Sequence, residues 1–158
     1  MVVKKSIVRK NLSAVDQDFD IDSVYKGMKK KADDLGYGFL EQEQTTKEGK
    51  YGTELTFKFK LVKDIDFFGR SIIEIEFKFD LLNKVKGREH GDCGVEVKSE
   101  IELDYQNRWG KNKFNKALFG LYSKIKAEDF KRLYLIPTIK NTTEVQEFIK
   151  DKFGFYVA

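Results

Sequence analysis

Leu55-Thr56-Phe57-Lys58-Phe59-Lys60-Leu61 and Ile73-Glu74-Ile75-Glu76-Phe77-Lys78-Phe79-Asp80-Leu81 decide how this chain folds. Apart from Thr56, apolar and charged side chains alternate throughout both. Successive side chains of a strand point to opposite faces of a sheet, so each stretch has one apolar face and one polar face. A third stretch repeats the pattern: Val95, Val97, Ile101, Leu103 and Tyr105 alternate with Glu96, Lys98, Glu100, Glu102 and Asp104, and Ser99 is almost the only polar residue on the apolar side. Period-2 patterning this strict predicts antiparallel strands with one face buried and the other in water. Opposite charges set the expected register. Lys60 faces Glu74 and Lys58 faces Glu76 in the first pair of strands. In the second pair Asp80 faces Lys98 and Lys78 faces Glu100, because the alternative would oppose Lys78 to Lys98.

Working outward, Val3, Ile7 and Val8 predict a short strand over residues 2–10, and a further strand runs from Tyr37 to Thr46. Between them Ile21, Val24, Tyr25, Met28, Ala32 and Leu35 form one stripe of a helix over 20–35. Asp20 is its N-cap, and Gly36 is its left-handed terminator. Beyond the strands, Phe114, Ala117, Leu118, Leu121, Tyr122 and Ile125 predict a long helix over 112–134, with a kink or a break near Ala127. Pro137 is expected to end it, since the residue before proline is pushed out of helical geometry. A short last helix then starts at a capping box, Thr143-Glu144-Val145-Gln146, and runs to Phe153. The chain reads as a single α+β domain, 1–158, with a curved antiparallel sheet packed on helices in the order β-α-β-β-β-β-α plus a short C-terminal helix.

Composition agrees. The 158 residues are 41% hydrophobic and include 14 Phe and 7 Tyr, which excludes a disordered chain. No run approaches the roughly 18 apolar residues of a membrane span. The net charge is only +4, and of the 30 basic residues most are Lys, whereas Arg is the residue suited to bidentate phosphate and base contacts. The single Cys and the absence of a signal-like leader in Met1-Val2-Val3-Lys4-Lys5 lead to the expectation of a cytoplasmic protein.

The order of elements over roughly residues 2–134 resembles the TBP-like core and the START/Bet v 1-like helix-grip proteins that share it. The resemblance lies in topology. No motif is matched residue by residue, so no functional residue carries over from it. Here there are five strands where helix-grip proteins usually show more, and a tail follows the long helix.

Two functions of different classes are open. In the first, a noncatalytic binding domain holds an apolar small molecule between sheet and long helix, lined by Phe57, Phe59, Ile75, Phe77, Ile101, Leu118 and Tyr122. Ordinary core packing is the competing reading of those residues. In the second, the domain docks an acidic protein or a nucleic acid through the basic segment 108–132. That segment carries eight basic and two acidic residues, and Trp109, Lys111, Lys113 and Lys116 would make the contacts. No catalytic centre, metal or cofactor is expected: nucleotide-loop, nucleophile-elbow and zinc-helix motifs are all missing, and every strand carboxylate is expected to face water. His90-Gly91-Asp92-Cys93 is expected in a solvated loop over 83–94. Phe67-Phe68 either folds back over the core or forms an exposed anchor.

Overall fold

A computed structural model describes residues 3–50, 52–66, 68–85, 88–103, 127–153 and 156–157. Its elements are β1 (Val3–Phe19), α1 (Ile21–Leu35), β2 (Gly38–Gly49), β3 (Gly52–Asp64), β4 (Gly69–Val85), β5 (Arg88–Leu103), a helical turn α2 (Ala127–Phe130), a π-helical turn (Lys131–Leu135), α3 (Ile136–Phe153) and a two-residue β6 (Tyr156–Val157). The strands form one curved antiparallel sheet in the order β2-β3-β4-β5-β1-β6. The α+β class and the element order are those read from the sequence.

The β3–β4 register follows charge complementarity: Lys60 pairs with Glu74 and Lys58 with Glu76, while Phe57 faces Phe77 and Phe59 faces Ile75. The β4–β5 register is not the expected one of Asp80 with Lys98 and Lys78 with Glu100, and it follows charge only in part. Glu74 faces Lys98, Glu76 faces Glu96 and Asp80 faces Asp92. The cause is the connection. The strands persist until Val85 pairs with Arg88, leaving two residues between them, so the loop expected over 83–94 is almost all strand. A short link fixes which residues meet, and a like-charge pair costs only about 0.2–1 kcal/mol against it. Neighbours reduce even that cost: Lys98 Nζ lies 3.0 Å from Glu96 Oε1, Arg9 Nε 3.4 Å from the same oxygen, and Lys78 Nζ 3.5 Å from Glu76 Oε1.

A register shift between Asp80 and Asn83 turns Leu81 outward, half exposed, and puts Leu82 in the core instead. β1 is also longer than expected, and its second half brings Leu12 and Ala14 into the core.

α1 is capped as read. Asp20 Oδ1 accepts from Ser23 N at 3.2 Å, and Gly36 is left-handed at φ 79°. Val24, Met28 and Ala32 are buried against the sheet, and Tyr25 sets its ring edge-on to Phe39 and Phe59 at 5.7 and 5.8 Å.

The C-terminal part corrects the expectation at Pro137. Residues 127–153 are helical throughout, and Thr143–Gln146 lie inside α3 rather than at a cap. Proline disrupts an α-helix because it has no N–H and its ring collides with the carbonyl four residues back. Here the preceding turn is widened to π geometry, with Ile136 N–H bonded to the Lys131 carbonyl. Pro137 then falls in the first turn of α3, where a missing donor costs little. The expected helix over 112–126 and the end of the strand at Tyr105 lie outside the described residues.

The core has two parts. The larger joins α1, the sheet and the second half of α3. The smaller gathers Phe68, Ile101, Leu103 and Tyr134 near the π turn. Phe68 therefore folds inward, 6% exposed. No helix among the described residues is long and apolar enough to cross a membrane.

Candidate functional site

The inner face of the sheet is built from aromatic and branched side chains. Phe57, Phe59, Ile75 and Phe77 come together in the larger core. Phe59 meets Phe77 at 5.9 Å edge-on, and Phe77 stacks on Phe79 at 6.2 Å. Ile101 is fully buried too, but in the smaller cluster beside Phe68 and Tyr134. Leu118 and Tyr122 lie outside the described residues, as do Trp109, Lys111, Lys113 and Lys116.

Against this apolar wall stands a helix whose buried arc is largely polar. Thr138, Thr142 and Gln146 are buried along α3 together with Val145 and Ile149. Spacings of three and four residues put these side chains on one helical face. Thr138 Oγ1 donates to Ser71 Oγ on β4 at 2.9 Å, and Ser71 Oγ shares a 2.7 Å hydrogen bond with Tyr37 OH. Asn141 Nδ2 donates to Tyr37 OH at 3.2 Å, and Thr142 Oγ1 donates to the Thr138 carbonyl at 2.6 Å. The result is a seam of neutral hydroxyls and an amide that ties the start of β2, β4 and α3 together. Sequence reading missed it because a helix broken at Pro137 hides the repeat Thr138, Asn141, Thr142, Gln146.

Two atoms in this layer lack partners among the described residues. Ser99 Oγ, on the inner side of β5, and Gln146 Nε2, on the buried arc of α3, make no hydrogen bond. Their residues are 1% and 4% exposed. Ser99 was visible in the sequence as the polar exception on an apolar face.

One end of the layer is pinned by Asp66. Its Oδ1 accepts from Phe68 N at 2.8 Å and Gly69 N at 2.7 Å, and its Oδ2 accepts from Tyr134 OH at 2.5 Å. Gly69 is required by this approach: a Cβ there would lie 2.1 Å from Tyr134 Cε1.

On the opposite face Lys58, Lys60, Glu74 and Glu76 are half-buried among one another rather than fully exposed, and Ile72 among them is fully buried. The alternation of sign leaves a ladder of ion pairs, such as Lys58 Nζ to Glu43 Oε2 at 3.3 Å. Hydrogen bonding from Lys98, then the charges of Lys98 and Arg9, hold the Glu96 carboxyl below its ordinary value against the opposing effect of partial burial. His90 and Cys93 belong to β5 instead of a solvated loop. His90 Nδ1 lies 2.7 Å from Asp18 Oδ1. Cys93 is buried, and desolvation followed by the charge of Asp80 pushes its thiol far above the usual range, which makes it a poor nucleophile. Among the described residues no group of three or more His, Cys, Asp or Glu is placed to hold a metal.

Strand order and pairing define an α+β domain in which a curved antiparallel sheet packs against helices. No family model matches the chain, and no curated protein matches it. Among solved structures the chain is similar to the X-ray structure of norcoclaurine synthase from Thalictrum flavum in complex with dopamine and hydroxybenzaldehyde, with 13% identity, a TM-score of 0.24, and coverage of 91% of this chain and 87% of that chain. A superposition that loose carries no argument about fold or activity. The fold class stands on the strand order and the pairing.

Proposed function

We propose that this chain is a noncatalytic binding domain that holds a largely apolar small molecule between the sheet and its C-terminal helix. The observation that carries this reading is the contrast between the two walls. The sheet side is mostly aromatic and branched aliphatic, with Ser71 and Ser99 as its buried polar members. The helix side offers buried Thr138, Thr142 and Gln146. Thr138 and Thr142 are hydrogen-bonded within the protein, but Gln146 Nε2 has no partner among the described residues, and burying a polar group costs free energy unless it is hydrogen-bonded. Small-molecule sites have mostly hydrophobic walls with a few placed polar groups. The polar members named here are hydroxyls and amides, which suit them to binding and orienting rather than to proton transfer near neutral pH.

The test is a thermal-shift titration of the purified chain against fatty alcohols, sterols, isoprenoids and aromatic ketones. A ligand that binds the folded state raises the melting temperature progressively with concentration. The reading predicts such a rise for at least one apolar class. A flat response across all classes contradicts it.

A further inference from the structure

We propose that the layer selects a neutral ligand bearing one hydrogen-bond-accepting oxygen, such as a ketone, over the plain hydrocarbon or the carboxylate of the same size. This rests on the binding reading above and gives that same site its ligand chemistry.

Ser99 lies on the floor of the layer, between Ile73 on β4 and Val8 on β1 in the pairing. Gln146 lies on the helix wall, next to Val145 and one turn from Thr142. Both side chains are more than nine-tenths buried, and neither Ser99 Oγ nor Gln146 Nε2 has a partner among the described residues. A buried polar atom without a partner bears its whole desolvation penalty, and native structures nearly always supply the partner. The carboxamide nitrogen can only donate, and a serine hydroxyl donates as well. What the two atoms lack in common is an acceptor. A carbonyl oxygen, with two lone pairs, satisfies such a donor.

A carboxylate also accepts, but it brings a charge. The seam that touches both walls consists of Tyr37, Ser71, Thr138, Asn141 and Thr142, all neutral. Lys63 stands at its edge, where the ammonium lies 5.6 Å from the Tyr37 ring centroid and donates to the Leu35 carbonyl at 3.2 Å. An anion beside Ser99 or Gln146 would thus be buried without a dedicated counter-charge among the described residues, which is far more costly than burying a neutral carbonyl.

Isothermal titration calorimetry of the full chain with butyrophenone, butylbenzene and phenylbutyrate, all of one carbon count, tests this. The ketone should bind roughly five- to tenfold more tightly than the hydrocarbon, the worth of one net hydrogen bond, and the carboxylate should bind weakest. Gln146→Leu keeps the volume and removes the donor. It should bring the ketone-to-hydrocarbon ratio close to one and raise the melting temperature of the ligand-free protein. Ser99→Ala supplies the same comparison if Gln146→Leu does not fold. A ketone that binds no more tightly than the hydrocarbon, or a carboxylate that binds best, overturns the proposal and leaves an internal water as the partner of these atoms. If none of the three binds and the wider thermal-shift panel is also flat, the reading beneath the proposal fails with it.

Discussion

Phe77→Ala removes a fully buried ring from the middle of β4. The ring lies 5.9 Å from Phe59 and 6.2 Å from Phe79, and its residue pairs with Phe57 on one side and Val95 on the other. All four neighbours are held on hydrogen-bonded strands, so they cannot collapse into the space the ring leaves. The cost is the lost burial plus the cavity, about 3–5 kcal/mol, with the upper half of that range expected because relaxation is restricted. For a chain of this size each kcal/mol lowers the melting temperature by about 2–4 °C, so the drop should be on the order of 8–20 °C. Lys58→Ala is the control on the opposite face. Its ammonium lies 3.3 Å from Glu43, but the two side chains are 39% and 44% exposed, and such pairs contribute less than about 1 kcal/mol. Urea unfolding of both variants, with the slope unchanged from wild type, provides the comparison. Equal losses would refute the assignment of inner and outer faces.

Gly69→Ala should destabilise by about 1–3 kcal/mol through overpacking, because the new methyl falls on the Tyr134 ring; in a Tyr134→Ala background the same substitution should cost almost nothing, and additive losses would contradict the contact. Glu96 has a folded pKa below its unfolded value, so its contribution is fully present above the unfolded value of about 4.3 and is lost as pH falls through the lowered folded value. Glu96→Gln should therefore lose less stability than wild type across that acid window, and parallel acid limbs would count against the Lys98 and Arg9 contacts. Cys93, buried and with its thiol shifted upward, should react with a thiol reagent many times faster in urea than in the native state; similar rates would contradict its burial.

The central hairpin was readable from residue types because two independent signals agree there. Alternation assigns Phe57, Phe59, Ile75 and Phe77 to one face, and the Lys58–Glu76 and Lys60–Glu74 pairs set their register. Between β4 and β5 the signals conflict. Charge favoured Asp80 opposite Lys98, whereas a two-residue link between Val85 and Arg88 imposes Asp80 opposite Asp92. Chain connection outweighs a few tenths of a kcal/mol of surface electrostatics, and the length of that link cannot be read from a run rich in Lys and Gly. Pro137 misled for a related reason. The rule that proline ends a helix assumes α geometry on its N-terminal side, and the π turn at Lys131–Leu135 lets the helix continue. Once the helix was divided, Thr138, Asn141, Thr142 and Gln146 fell into a loop and a cap, so the polar wall of the site was lost. The apolar wall was legible because it depends only on period two.

The most direct test of ligand binding within the sheet–helix layer is a methyl NMR titration of the chain with the best ligand from the thermal-shift panel. Isoleucine and valine methyls report on both candidate locations: Ile73, Ile75, Ile101, Val145 and Ile149 are buried, whereas Val15, Ile136 and Ile139 are 64%, 60% and 40% exposed. Binding inside the layer predicts saturable shifts at the buried methyls, strongest at Ile73 and Val145 beside Ser99 and Gln146, with the exposed set nearly unmoved. Shifts confined to Val15, Ile136 and Ile139 would place the ligand on the surface and contradict it.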